Sequence, residues 1–335
     1  MNDTFLLELK QNLDNCITEL DSIRHLFCQN PEADFTRDRK INFSTMIDIL
    51  LQLESRSLPN ELMNYFDHTI TAPTASAFIQ QRNKLLAEGM EFLFHDFNNT
   101  CSYIQTQTYR GYRLLACDGS DVNIARNPED ESTYIHQGEK GYNKIHINAL
   151  FDLLNHTYSD ITVQGGKELH ERQALNTMVD RYAGSTKAIF IADRGYESFN
   201  VFAHLIRKEQ KFIIRIKDIH SNGIISNYAL PDSEFDEQIE TILTRRHTKE
   251  TKENPNTYTI LSPYTDFDFL DEDNKYYPTS FRIVRFKVSE GVYQCVATSL
   301  DEDQFPLEVQ KNIPCQMGRI MRSLLLCASF GRISQ

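Results

Sequence analysis

The sequence predicts an α/β protein: a mixed sheet with flanking helices, preceded by a helical amino-terminal domain and interrupted by a β-rich insertion. Three observations carry this. Apolar residues recur at intervals of three and four up to about Asn99, strand-length apolar runs alternate with helical patterns from Tyr112 to Lys217, and a polar, proline-bearing stretch then separates that region from two further strands.

Before residue 105, the spacing of Met46, Ile49, Leu50 and Leu53, and of Phe78, Leu85 and Leu86, predicts helices. Pro73 to Lys84 reads as a capped helix with Gln80, Gln81, Arg82 and Lys84 on polar positions, suited either to a DNA groove or to packing on its neighbours. Strands are expected at Leu114–Asp118, Ile145–Leu154 and Thr157–Gln164, the last two joined by a turn at Asn155-His156. A helix over Glu171–Tyr182, a strand over Ala188–Ala192, a helix over Phe199–Lys208 and a strand over Phe212–Lys217 follow. Three antiparallel strands and then alternating helices and parallel strands is the order of a ribonuclease-H-like sheet. Its core is assigned to residues 110–217 and 280–310, with 218–279 as a β or loop insertion carrying Pro231, Pro255, Pro263 and Asp271-Glu272-Asp273. Phe281–Val288 and Tyr293–Thr298 should form a hairpin around Glu290-Gly291.

Composition excludes several classes. At 335 residues, 40% hydrophobic and 24% charged, the chain can bury a full core. It has no apolar run near the roughly 20 residues that span a bilayer, and Met1-Asn-Asp-Thr-Phe5 lacks a signal-peptide layout, so a cytoplasmic location is expected. Seven scattered cysteines with no C-x-x-C spacing are expected as reduced thiols, several of them buried. A net charge of −12 argues against an indiscriminate nucleic-acid binder, yet says little about one face of a large protein. Basic residues cluster at Arg37, Arg39 and Lys40, at Arg207, Lys208 and Lys211–Lys217, and at Arg245–Lys249; each cluster alone reads as solvated surface.

The chemistry is carried by acidic residues at strand ends. Ile189-Phe-Ile-Ala192 stops at Asp193, and Leu114-Leu-Ala-Cys117 stops at Asp118 before what reads as a glycine turn. A carboxylate at the carboxyl end of a buried strand opens into the crevice where α/β sheets place their sites. Two such residues suggest a divalent-metal site, since hard ions favour oxygen ligands. Asp121 either caps the following turn or joins the same acidic crevice.

Cys117-Asp-Gly-Ser-Asp121, Lys140-Gly-Tyr-Asn-Lys-Ile-His-Ile-Asn-Ala-Leu-Phe-Asp152, Met178-Val-Asp-Arg181 and Ile191-Ala-Asp-Arg-Gly-Tyr-Glu-Ser-Phe-Asn200 resemble the insertion-sequence-4 family of DDE transposases, over about residues 30 to 310. The resemblance implies a ribonuclease-H-like catalytic core in which Asp118 and Asp193 are catalytic and bind Mg²⁺ or Mn²⁺. It also implies metal-dependent cleavage and joining of transposon ends in DNA transposition and recombination. The expected partner is double-stranded DNA at terminal inverted repeats, bound by a possible homodimer. Residues 1–105 would bind the DNA end, with Arg82 and Lys84, and Arg194, Lys140 and Lys144 would contact phosphates. Tyr196 and Tyr142 stack on a base or, more commonly for such positions, pack in the core.

The family's third carboxylate, a glutamate on a late helix, has no counterpart: no Asp or Glu follows Glu308. A reading-frame slip near residue 312 would account for this, the alternative being a divergent carboxyl terminus. If Ile313–Gly318 were encoded ATA CCA TGC CAG ATG GGN, the frame one base later would read Tyr-His-Ala-Arg-Trp, although that frame does not supply the glutamate. Residues 312–335 are therefore expected to be an aberrant tail of a truncated or frameshifted copy, and this copy to be inactive. The alternative is a non-catalytic DNA-binding remnant that inhibits transposition.

Overall fold

The computed structural model describes residues 3–54, 56–104, 107–138, 140–184, 186–303 and 305–306, so the tail expected to be aberrant lies outside the described residues. The chain divides near residue 106 into two compact units.

The first unit is helical, with α1 (Asp3–Ser22), α2 (Phe43–Gln52), α3 (Leu58–Tyr65), α4 (Ala75–Arg82) and α5 (Glu88–Thr100). Side-chain caps set two of the starts: Asn42 accepts the Thr45 amide at 2.8 Å and Thr74 that of Ala77 at 3.2 Å. Leu20, Phe43, Met46, Ile47, Ile49, Leu62 and Phe78 pack into one core, each burial worth roughly 1.5–3 kcal/mol. Leu53, expected on the α2 stripe, instead follows the last helical residue and is exposed. None of the described helices is long and apolar enough to cross a membrane.

The second unit is built on one mixed sheet. Its elements are β1 (Arg113–Ile124), β2 (Tyr134–Ile135), β3 (Tyr142–Asp152), β4 (Thr157–Gly165), α6 (Glu171–Arg181), β5 (Ala188–Ala192), α7 (Phe199–Arg207) and β6 (Lys211–Ile216). There follow β7 (Phe235–Thr244), α8 (Lys249–Glu253), β8 (Tyr258–Ile260), β9 (Tyr276–Ser289) and β10 (Val292–Thr298). Across the sheet the order is β2-β3-β1-β5-β6-β10-β9-β7-β8, with β4 also on β3. The β1, β5 and β6 strands are parallel, while β3 and β10 flank them antiparallel. Because β7 pairs with β9 over ten positions from Phe235↔Arg285 to Thr244↔Tyr276, the stretch between residues 218 and 279 continues the sheet instead of forming a layer of its own.

Alternation along the strands divides the apolar side chains between two faces. One face carries Leu115, Cys117, Phe190, Phe212 and Ile214 and is covered by Leu175, Met178 and Val179 of α6 and Val201, Phe202 and Leu205 of α7. The other carries Leu114, Ala116, Ile189, Ile191, Ile213, Val284 and Val296.

Two sequence expectations need correction. Asp118-Gly119-Ser120 is not a turn: β1 runs on to Ile124, its hydrogen-bonding held by β3 from Asp118↔Ala149 to Ile124↔Asn143. A ten-residue antiparallel ladder overrides the local turn preference of Asp-Gly. For the same reason Asp121 caps nothing; it sits mid-strand opposite His146. The turn at Asn155-His156 is as expected, with His156 at φ 54° and Asp152 accepting the Leu154 and Asn155 amides at 3.1 and 3.0 Å.

The five cysteines among the described residues are free and buried.

Candidate active site

The site follows from register. Cys117 of β1 and Ala192 of β5 are the last matched pair of the parallel ladder, so one residue further Asp118 and Asp193 stand side by side on strands roughly 5 Å apart. On the far side of β5, Ala192 matches Ile214 of β6, which brings Arg215 beside Asp193. Alternation puts Asp118, Asp193 and Arg215 on the face of Ala116, Ile191 and Ile213.

Asp193 accepts its neighbour's amide, Arg194 N–H, at 2.6 Å, and its Oδ1 lies 3.1 Å from Arg215 Nη1. The Arg215 Nε is buried without a hydrogen-bond partner among the described residues. Asp118 has no such cation among the described residues. Burial lifts its carboxyl above the ordinary value, the Asp193 and Glu171 carboxylates push the same way, and the Gly119 amide and His146 only partly offset them.

Glu171 opens α6 on the opposite face. Its Oε1 lies 3.2 Å from His146 Nε2, an ion-pair distance without hydrogen-bond alignment, since that nitrogen has no such partner. His146 Nδ1 meets Asp121 Oδ1 at 2.8 Å, and Lys144 Nζ meets Asp121 Oδ2 at 2.7 Å. Those two contacts, Lys144 first, hold the Asp121 carboxyl below the usual carboxylate range. Gly119 lies beneath this cluster, and a Cβ there would stand 2.4 Å from His146 Nε2 and 2.9 Å from Glu171 Oε1. Only glycine lets the imidazole and carboxylate lie so low over β1.

Around Glu171, the starts of α6 and α7 and the loop at Tyr264–Asp266 enclose a polar cavity of about 430 Å³ that also includes Arg172, Asn176 and Gly195 but neither Asp118 nor Asp193. Asn176 is buried, and its Oδ1 has no hydrogen-bond partner among the described residues.

Among the described residues, no three His, Cys, Asp or Glu side chains converge as a metal cluster. Asp118 and Asp193 nevertheless have the chemistry for part of one. They are hard oxygen donors at the carboxyl ends of adjacent strands, and a divalent cation would offset the neighbouring carboxylates that, with burial, raise Asp118.

The model of the family described as "Transposase DDE domain" matches residues 109–306, more than half of the 335. The chain belongs to that family. No curated protein matches the sequence. Among solved structures, a cryo-EM structure of the piggyBac transposase synaptic complex with hairpin DNA is similar at 12% identity and a TM-score of 0.38, covering 77% of this chain and 51% of that one. The chain thus spans about half the length of that relative.

Within this transposase domain the other residues singled out in the sequence separate. Arg194 is exposed beside Asp193 and has no ion-pair partner among the described residues. Lys144 is engaged by Asp121, and Lys140 lies before the start of β3, two residues from Tyr142, whose hydroxyl donates to Gln137 Oε1 at 3.2 Å. Tyr142 and Lys140 are thus remote from Asp118, which pairs with Ala149 at the other end of β3, roughly 23 Å along the strand from Tyr142. Tyr196 is a core residue: it is buried, its hydroxyl lies 3.4 Å from Asn148 Oδ1, and burial raises its pKa. The motif's Glu197 is a structural anchor, accepting the Lys217 amide at 2.9 Å and the Ile224 amide at 2.6 Å, so it ties the β5 turn to the end of β6. Asp180 and Arg181 also bind within the fold, to His204 at 3.0 Å and Asp160 at 2.8 Å. In the first unit, Arg82 ends α4 and Lys84 lies beyond it, 3.8 Å from Asp34.

Sequence reasoning missed Arg215 as a site neighbour. It was visible only as one basic residue in Lys211–Lys217, and its adjacency to Asp193 is register information. It also missed Glu171, the first acidic residue of a recognisable helix.

Proposed function

We propose that this chain is a DDE transposase of a bacterial insertion sequence, in the insertion-sequence-4 group, in which residues 1–105 bind transposon-end DNA and a ribonuclease-H-like core carries out metal-dependent cleavage and strand transfer. Asp118 and Asp193 are its catalytic carboxylates. The observation that carries the reading is the parallel register that sets these two side by side at the carboxyl edge of β1 and β5, within the residues matched by the transposase family. Such an edge is where open α/β sheets place their chemistry.

Asp118 and Asp193 would hold Mg²⁺ or Mn²⁺, which when bound supplies charge stabilisation for in-line displacement at a phosphodiester. The chain's own residues prepare that edge. Arg194 N–H and Arg215 fix the orientation of Asp193, and Arg215 and Arg194 bring positive charge to a phosphate approaching the carboxylates. The apolar strands behind them exclude water from one side.

A second reading, DNA binding without cleavage, is favoured by the Arg215 ion pair on Asp193, which occupies one of the two carboxylates. One experiment separates the two. Nicking of duplex DNA carrying the element's inverted repeats is measured with Mn²⁺ for the wild type and for Asp193→Asn, alongside binding of the same DNA. Cleavage that falls by at least about 10³ in the variant establishes the catalytic role. Binding without cleavage in either protein establishes the remnant, and absence of binding refutes both.

A further inference from the structure

The first unit holds a cavity of about 320 Å³ lined by Glu32, Phe35, Arg37, Arg39, Gln81 and Lys84, among others. We propose that this cavity seats a backbone phosphate of duplex DNA, an assignment that rests on the transposase reading and adds the residues that would make the contact.

Three cations and one carboxylate, Glu32, line the cavity in a chain whose net charge is −12. Arg37 and Arg39 are exposed and have no ion-pair partner among the described residues. Asp34 is buried and spent elsewhere: its Oδ2 accepts the Asn30 amide at 2.9 Å, leaving a 3.8 Å contact from Oδ1 to Lys84. Lys84 is also 5.8 Å from the Phe35 ring centroid. Its backbone is pinned, because its carbonyl accepts the Gln29 amide at 2.8 Å and Leu85 bridges to Cys28.

Gln81 is the second observation. It is 5% exposed, yet its side-chain amide makes no hydrogen bond with a described residue. The amide of an otherwise buried side chain that lines a cationic cavity can donate to an anion there. Guanidinium pairs suit phosphate oxygens because they offer fixed, paired donors. Since Glu32, Arg37 and Arg39 are all exposed at the rim, the cavity opens outward and fits a phosphate borne on an extended backbone.

The test uses the full chain and a fluorescent duplex of about 30 base pairs, with anisotropy titrations between 50 and 250 mM KCl. Arg37→Gln/Arg39→Gln should lower the slope of log K against log salt by about one to two and weaken binding about tenfold at 150 mM, with an unchanged melting temperature. Arg37→Lys/Arg39→Lys should restore the slope but not all of the affinity, and Gln81→Ala should weaken binding at unchanged slope. A wild-type slope in the Gln variant overturns the proposal while leaving the transposase reading intact. Inorganic phosphate raising the melting temperature through the arginines without any effect of the variants on DNA binding also overturns it, in favour of a free-phosphate site. A wild type that binds no DNA overturns both readings together.

Discussion

Asp118 and Asp121 stand three residues apart on the same strand, yet their surroundings push their carboxyls in opposite directions. Asp121 has Lys144 and His146 within 2.8 Å and is held low, whereas Asp118 is half-buried beside two other carboxylates and is raised. The odd spacing puts them on opposite faces of β1. The carboxylate with its charges already answered belongs to the fold, and the one left uncompensated marks the edge open to a cation. Glu197 and Asp218 resemble Asp121: the first accepts two backbone amides, and Arg285 beside Asp218 draws the latter's carboxyl down to about 2.

If that division is correct, the largest stability loss should come from a compensated carboxylate. Glu197→Ala leaves the Lys217 and Ile224 amides unpaired and should cost about 2–4 kcal/mol in urea unfolding. A loss below about 0.5 kcal/mol would remove Glu197 from the structural group. Gly119→Ala forces a methyl against His146 and Glu171 and should cost about 1–3 kcal/mol, measured the same way.

Acid should act on the compensated set. Arg285 holds the Asp218 carboxyl down at about 2 in the folded chain, against an ordinary value of 3.8, so its stabilisation is full above the unfolded value and is lost as pH falls from about 4 towards 2. That contribution is on the order of 1–2 kcal/mol after allowance for solvent screening. In Asp218→Asn, the melting temperature should fall less steeply over that range than in the wild type.

The smallest effects test the comparison most directly. Asp121→Asn should destabilise by less than about 1 kcal/mol, the pair being half-exposed, while Asp118→Asn should be neutral or slightly stabilising at pH 7. Carboxyl-carbon NMR titration should place the Asp118 midpoint above 3.8 and that of Asp121 below it. Midpoints in the reverse order would end the comparison.

Much of the sheet was legible because buried strands such as Ala188–Ala192 and Phe212–Ile216 are short apolar runs. The extension of β1 was not, since Gly119-Ser120-Asp121 carries turn residues and only the partner strand makes them extended. Likewise β7 mixes Asp236, Glu237, Gln238 and Glu240 with Ile239 and Leu243, and its place beside β9 is set by pairing, not by its own composition. Both strand-end aspartates were readable as local signals. Their being neighbours, and the intrusion of Arg215, depend on contacts between segments far apart in sequence.

The joining of β7 to β9 also makes the segment from 218 to 279 a guard for the rest of the sheet. Excising it would remove β7 and leave Ser280–Arg285, six β9 positions otherwise matched to it, as an open edge, the kind that templates self-association. In the intact chain the outer strand is β7, covered by β8 only at Ile242–Thr244, and its free stretch carries Asp236, Glu237 and Glu240, charges that discourage pairing with a second molecule.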